Sequence, residues 1–132
     1  MATWEDVRRL ALALPETSES TMHGNMAWYV RDKSFLWERP LRRTDLAALG
    51  AQAPDGPILG VRVEHLVAKE AVLAAEPDVA FTTPHFKGYP AVLVQLERID
   101  VARLEELIEE AWLARAPTKL AKSYLAAVKK PF

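Results

Sequence analysis

The chain has 132 residues, 50% of them hydrophobic and 27% charged, with no cysteine, and 17 Lys+Arg against 18 Asp+Glu leave a formal charge of −1. That length fits one domain, the apolar content with so small a net charge excludes disorder, and no run approaches the roughly 18–20 apolar residues of a membrane span. Without cysteine there is no disulfide framework, thiolate catalysis or cysteine zinc site; Met1–Leu10 carries four charges instead of a signal-peptide core, so a cytoplasmic location is expected.

Thr3 is an N-cap before Trp4-Glu5-Asp6, and Trp4, Val7, Leu10, Ala11 and Leu14 recur at helical spacing until Pro15, predicting a first helix over Trp4–Leu14. Pro15–Ser20 is polar, with a weakly marked strand near Thr17–His23. The period then changes to two: Met26, Trp28 and Val30 alternate with Ala27 and Tyr29. Arg31-Asp32-Lys33 turns the chain, and Ser34–Glu38 returns as a strand with Phe35 and Trp37 on one face.

Pro40–Pro57 reads as a surface excursion with one helical turn, bounded by Gly50 and closed by the turn Pro54-Asp55-Gly56-Pro57. Ile58–Val63 sets Leu59, Val61 and Val63 against Gly60 and Arg62, a strand. Glu64–Ala75 is a second helix with Val67, Ala71 and Ala74 on one face. Val79–Phe81 is short and extended, and Ala91–Leu96 is a buried strand. Asp100 caps a third helix with Leu104, Leu107, Ile108, Ala111 and Trp112 on its apolar side. After Pro117, Lys119–Lys129 forms a last helix with Leu120, Tyr124 and Val128 aligned. The sum is one α+β domain over residues 1–132, with a mainly antiparallel sheet, helices packed on one face, and a basic helix and tail over 118–132.

Several stretches together resemble the MmcQ/YjbR family of small bacterial proteins. They are Ala13-Leu14-Pro15-Glu16, His23-Gly24 with Tyr29-Val30 and Lys33-Ser34-Phe35, and Pro84-His85-Phe86-Lys87-Gly88-Tyr89-Pro90 running into Ala91-Val92-Leu93-Val94. Leu104 to Trp112 and Ala116-Pro117-Thr118-Lys119-Leu120-Ala121 complete the likeness, which spans Trp4 to Tyr124. The resemblance implies a fold similar to frataxin and to type III secretion chaperones, α-β(3)-α-β(2)-α. It also implies binding of double-stranded DNA through a double wing of hairpins, and it carries over no catalytic residue.

The charge is segregated in a way that suits this expectation. Over residues 31–43 five cations, Arg31, Lys33, Arg39, Arg42 and Arg43, face two anions, Asp32 and Glu38. From residue 111 onward Arg115, Lys119, Lys122, Lys129 and Lys130 meet no acid, whereas residues 97–110 hold six acids against Arg98 and Arg103. Local cation clusters are what phosphate contacts need, so the nucleic-acid candidates are Arg31, Lys33, Arg39, Arg42 and Arg43 with Lys119 and Lys122. Trp28, Tyr29, Phe35 and Trp37 have the chemistry to stack on bases, though alternating hairpin aromatics more often form core.

The alternative is a small-ligand or partner cleft at His23, Thr83, His85, Lys87 and Tyr89, where Pro84 and Pro90 restrict the backbone and His85 offers an imidazole able to donate or accept a proton. Metal binding is not expected: His23, His65 and His85 lack ligand spacing, and only Glu16 and Glu19 offer loose acidic contacts. None of the common nucleophile, phosphate-loop, dinucleotide or zinc-protease motifs occurs, so neither an enzyme nor a cofactor is expected. Trp112 and Tyr124 are candidate anchors for a homodimer.

Overall fold

The computed structural model describes residues 1–128. Its first helix, α1 (Trp4–Leu12), opens with the capping pair expected of Thr3: the Thr3 hydroxyl accepts from the Asp6 N–H, and the Asp6 carboxylate accepts from the Thr3 N–H. It ends two residues earlier than the apolar spacing suggests. Leu14 N–H turns to Ala11 O at 3.1 Å, because Pro15 disfavours helical backbone at the residue before it.

Six antiparallel strands follow: β1 (Thr17–Met22), β2 (Asn25–Val30), β3 (Lys33–Glu38), β4 (Ile58–Arg62), β5 (Ala80–Phe81) and β6 (Ala91–Gln95). Across the sheet their order is β1-β2-β3-β4-β6-β5. The weakly marked stretch after Pro15 is thus a full edge strand. It pairs with β2 through a two-residue turn in which His23 and Gly24 both have positive φ, 53° and 82°. This is the primed-turn geometry that matches strand twist, and glycine supplies the second position without strain.

One irregularity in β3 decides what lies on each face. Trp28 pairs with Leu36 and Tyr29 with Ser34, leaving Phe35 as an extra residue. Phe35 and Leu36 are consequently both buried on the same side, and Trp37 alone faces the other. The expectation that Phe35 and Trp37 share a face is corrected by this bulge.

On the Phe35 side, α4 (Val101–Arg115) crosses β3 and β4, with α1 beside it. All five residues expected on its apolar stripe are buried, Trp112 completely, and the Trp112 indole N–H is satisfied by Pro15 O at 3.1 Å. Helix α5 (Thr118–Val128) lays Leu120 and Tyr124 against this core, but Val128 is exposed, so the stripe ends a turn early. Tyr124 is a core residue 4.9 Å from the Trp112 ring. Burial and its hydrogen bond to the Glu109 carboxylate push its phenol up to about 12. Lys129 and Lys130 lie outside the described residues.

The other side of the sheet is only partly covered. Ala27, Trp37, Ile58, Ala91 and Leu93 form its apolar surface, capped by Phe86 from a 3-10 turn at Pro84–Phe86. The excursion after Pro40 contains a seven-residue helix, α2 (Arg43–Leu49), rather than a single turn.

Helix α3 (Leu66–Ala75) starts at an N-cap, His65, whose Nδ1 accepts from Ala68 N–H. Its Val67, Ala71 and Ala74 face is exposed, opposite to what apolar patterning predicts, because the buried position is Lys69. The Lys69 ammonium donates to Phe86 O at 2.7 Å and Tyr89 O at 2.8 Å, two loop carbonyls that also accept the Tyr89 and Ala91 N–H groups.

Gly60 in β4 lies directly over Trp37, and a Cβ there would sit 2.2 Å from the Trp37 indole nitrogen. Gly60→Ala is expected to cost about 1–3 kcal/mol by overpacking. Urea unfolding followed by tryptophan fluorescence checks this: the midpoint should fall with the slope unchanged, and an unshifted midpoint would show that Trp37 yields freely.

Candidate functional site

A cleft of about 490 Å³ opens on the Trp37 side of the sheet. Its floor is β3, from Ser34 through Trp37 to Glu38, roughly 13 Å at strand rise. The β1–β2 turn supplies Met22, His23 and Asn25 at one end, and Tyr89 stands at the other beside Ser34. Arg39, Pro40 and Arg42 line the cleft together with His85 and Phe86, the wall supplied by the 3-10 turn.

Aromatic rings give that wall its shape. The Phe86 ring lies 6.4 Å from Trp37 and 6.2 Å from Tyr89, and His85 meets it edge-on at 4.8 Å. The backbone of this wall is fixed from behind by Lys69. Burial holds the Lys69 amine below its ordinary 10.5, with partial opposition from Glu70.

Arg39 is turned inward, 5% exposed, and stacks 5.2 Å above Phe86. Its Nη2 lies 2.9 Å from the Asp45 carboxylate, and Nη1 donates to Pro40 O at 2.6 Å. Asp45, from the first turn of α2, also accepts the Arg42 N–H at 2.8 Å. Burial alone would raise the Asp45 carboxyl; the Arg42 N–H, the Arg39 charge and the Thr83 hydroxyl outweigh it and hold the group below 3.8. The pair thereby holds α2 against the 3-10 turn. Next to Arg39, Glu38 accepts the Met26 N–H, tying this end of the cleft to β2.

Comparison with known proteins fits this architecture. The profile of the family described as YjbR matches residues 12–114. The chain belongs to the YjbR family. It is 53% identical over 129 residues to the uncharacterized proteins Mb2600 of Mycobacterium bovis and Rv2570 of Mycobacterium tuberculosis, covering 96% of this chain and 98% of each relative. Protein DR2400 of Deinococcus radiodurans superposes with a TM-score of 0.65 at 19% identity, over 96% of this chain and 89% of that one, a likeness of fold. No helix among the described residues is long and apolar enough to cross a membrane.

Within this YjbR fold the predicted site residues separate. Of the cleft candidates, His23, His85 and Tyr89 line one cavity; Thr83 is buried behind it near Asp45, and Lys87 is exposed outside the lining. Among the cations expected to meet phosphates, Arg39 is not on the surface at all, a correction that follows from its pairing with Asp45. Arg31 is at the hairpin tip but bound to Glu16 at 2.7 Å, and Lys33 is exposed beside it. Arg42 and Arg43 are exposed at the opposite end of β3, about 20 Å away at strand rise. Lys119 and Lys122 are on α5, with Lys122 bordering a groove between α3, α4 and α5. Glu16 and Glu19 are both engaged, Glu19 with Arg8 and the Trp28 indole.

Trp37, Glu38, Asn25 and Lys69 belong to the site and were not singled out for it by sequence. Only the run Phe35-Leu36-Trp37, three large apolar residues in a row, signalled that β3 is buried on both faces.

Asp45→Asn leaves the Arg39 charge buried without a counter-ion, and a loss of about 3–5 kcal/mol is expected at pH 7. Because the folded Asp45 carboxyl is depressed, its contribution is complete above 3.8 and disappears as pH falls through the lower folded value. The stability gap between wild type and Asp45→Asn should therefore narrow below pH 3.8, which chemical unfolding at stepped pH would measure. A gap independent of pH would contradict the pairing.

Proposed function

We propose that this chain is a non-enzymatic binding module that takes a small molecule into the cleft over Trp37. The observation that carries this reading is convergence. His23, the Glu38–Arg42 stretch and His85 come from three separate segments to one aromatic-floored cavity of about 490 Å³. Ligand sites are typically about 300–1,000 Å³, largely apolar, with a few placed polar groups. The dispersed cations support the same choice, since backbone-directed DNA binding gains from each phosphate neutralised on one continuous face.

DNA binding is the second reading, favoured by one observation: Arg42 and Arg43 are exposed side by side at the start of α2. In that reading they supply the contacts, with Lys33 as a distant addition and Arg39 contributing none.

One experiment separates the two. Isotope-labelled protein is titrated with a panel of small aromatic and polar compounds and, separately, with a random DNA duplex at low salt. Cleft binding predicts shifts at the Trp37 indole and the His23 and His85 imidazoles, weakened about fivefold or more by His85→Ala, the loss of roughly one hydrogen bond or ring contact. A panel that leaves those signals unmoved, with duplex binding tighter than about 10 μM abolished by Arg42→Glu with Arg43→Glu, would replace the cleft reading with the DNA reading.

A further inference from the structure

We propose that Arg62, Arg115 and the Tyr89 hydroxyl form a binding site for one oxyanion, a phosphoryl or carboxylate group, where the Tyr89 end of the cleft meets the end of the sheet. Arg62 is the last residue of β4 and Arg115 the last of α4. They approach from different layers. Arg115 Nε donates to Ser34 O at 3.2 Å, and Ser34 lies on β3 two residues beyond Leu36, which pairs with Val61 next to Arg62. Arg62 stacks 4.9 Å over the Tyr89 ring and donates through Nη1 to the Tyr89 hydroxyl at 3.0 Å.

The charge at this point is uncompensated. Neither guanidinium has a carboxylate within ion-pair distance among the described residues, although five other arginines do, and both are half-buried. Of the acids bordering the same groove as Arg62, Glu64 is exposed and lies 3.9 Å from His65, Glu110 lies on the Arg103 side, and neither is within ion-pair distance of Arg62. Arg62 Nε is shielded from solvent and has no hydrogen-bond partner. Burial chiefly, and then the charge of Arg62, hold the Arg115 guanidinium below its ordinary value.

Two guanidinium forks and a hydroxyl, with unfilled donors and no internal acid, match the geometry of a bound oxyanion. Ser34 and Tyr89 line both this point and the cleft, so a cleft ligand bearing an acidic group would place that group here. The site itself stands independently of the cleft reading.

The full chain is titrated with inorganic phosphate and, separately, with acetate, at pH 7 and constant ionic strength set by chloride. The readout is the Nε–H resonances of Arg62 and Arg115. Saturable shifts are expected below about 50 mM, weakened about tenfold or more by Arg62→Gln and by Arg115→Gln, as for loss of one charge-assisted hydrogen bond. Arg115→Lys, which keeps the charge, should retain more affinity than Arg115→Gln, and serves if the glutamine variant does not fold. Saturation by phosphate alone assigns a phosphoryl ligand, by acetate alone a carboxylate, and by both an unselective oxyanion site. No saturable shift with either anion, or shifts unchanged in the variants, would overturn the proposal. Failure of the cleft reading shows elsewhere, as unmoved Trp37 and His85 signals with the organic panel.

Discussion

The extra residue in β3 is the constraint on which the molecule turns. A regular strand would put Phe35 and Trp37 on one face and Leu36 on the other. With the bulge, Phe35 and Leu36 both enter the core under α4, and Trp37 is delivered to the opposite face. Everything beyond Trp37 follows that change of phase. Glu38 reaches the Met26 amide, Arg39 turns in over Phe86, and Gly60 across the ladder must lack a side chain to admit the indole. A core and a cleft are thus built from the two sides of six residues, and neither is adjustable without the other.

Charged residues carry the second layer of organisation. Arg39 and Lys69 are both nearly buried, and each makes contacts that an apolar residue could not. The Arg39–Asp45 pair joins α2 to the 3-10 turn, and Lys69 binds two carbonyls of the segment that follows it. Desolvation makes such arrangements poor sources of net stability, but removing one partner is costly. Their effect is to specify position. The cleft wall carries His85 on a short turn whose apolar anchor is Phe86, and the donors aimed at its backbone fix where that turn sits.

Much of the fold was legible because burial imposes a period on sequence. Trp28 and Val30 against Ala27 and Tyr29, Leu59 and Val61 against Gly60 and Arg62, and the five inward residues of α4 all fall on the expected sides. What was illegible is where a polar residue takes an apolar position. Lys69 reverses the apparent face of α3, leaving Val67 exposed, and nothing local distinguishes it from a surface lysine. Arg39 likewise reads as one of five clustered cations until Asp45 is brought beside it. His23, His85 and Tyr89 could be named as polar loop residues, but their convergence depends on the strand order. Arg62 and Arg115 lie 53 positions apart in the chain and meet only at the end of the sheet.

The seclusion of Lys69 also makes its amine a chemical reporter. An ammonium with two of its three hydrogens committed to Phe86 O and Tyr89 O, and only 6% exposed, is closed to acylating or reductively methylating reagents while the wall is seated. Lys33, Lys87, Lys119 and Lys122 are exposed and react without delay. The lag between their modification and that of Lys69 is therefore a clock for how often the His85 wall lifts from the rest of the protein.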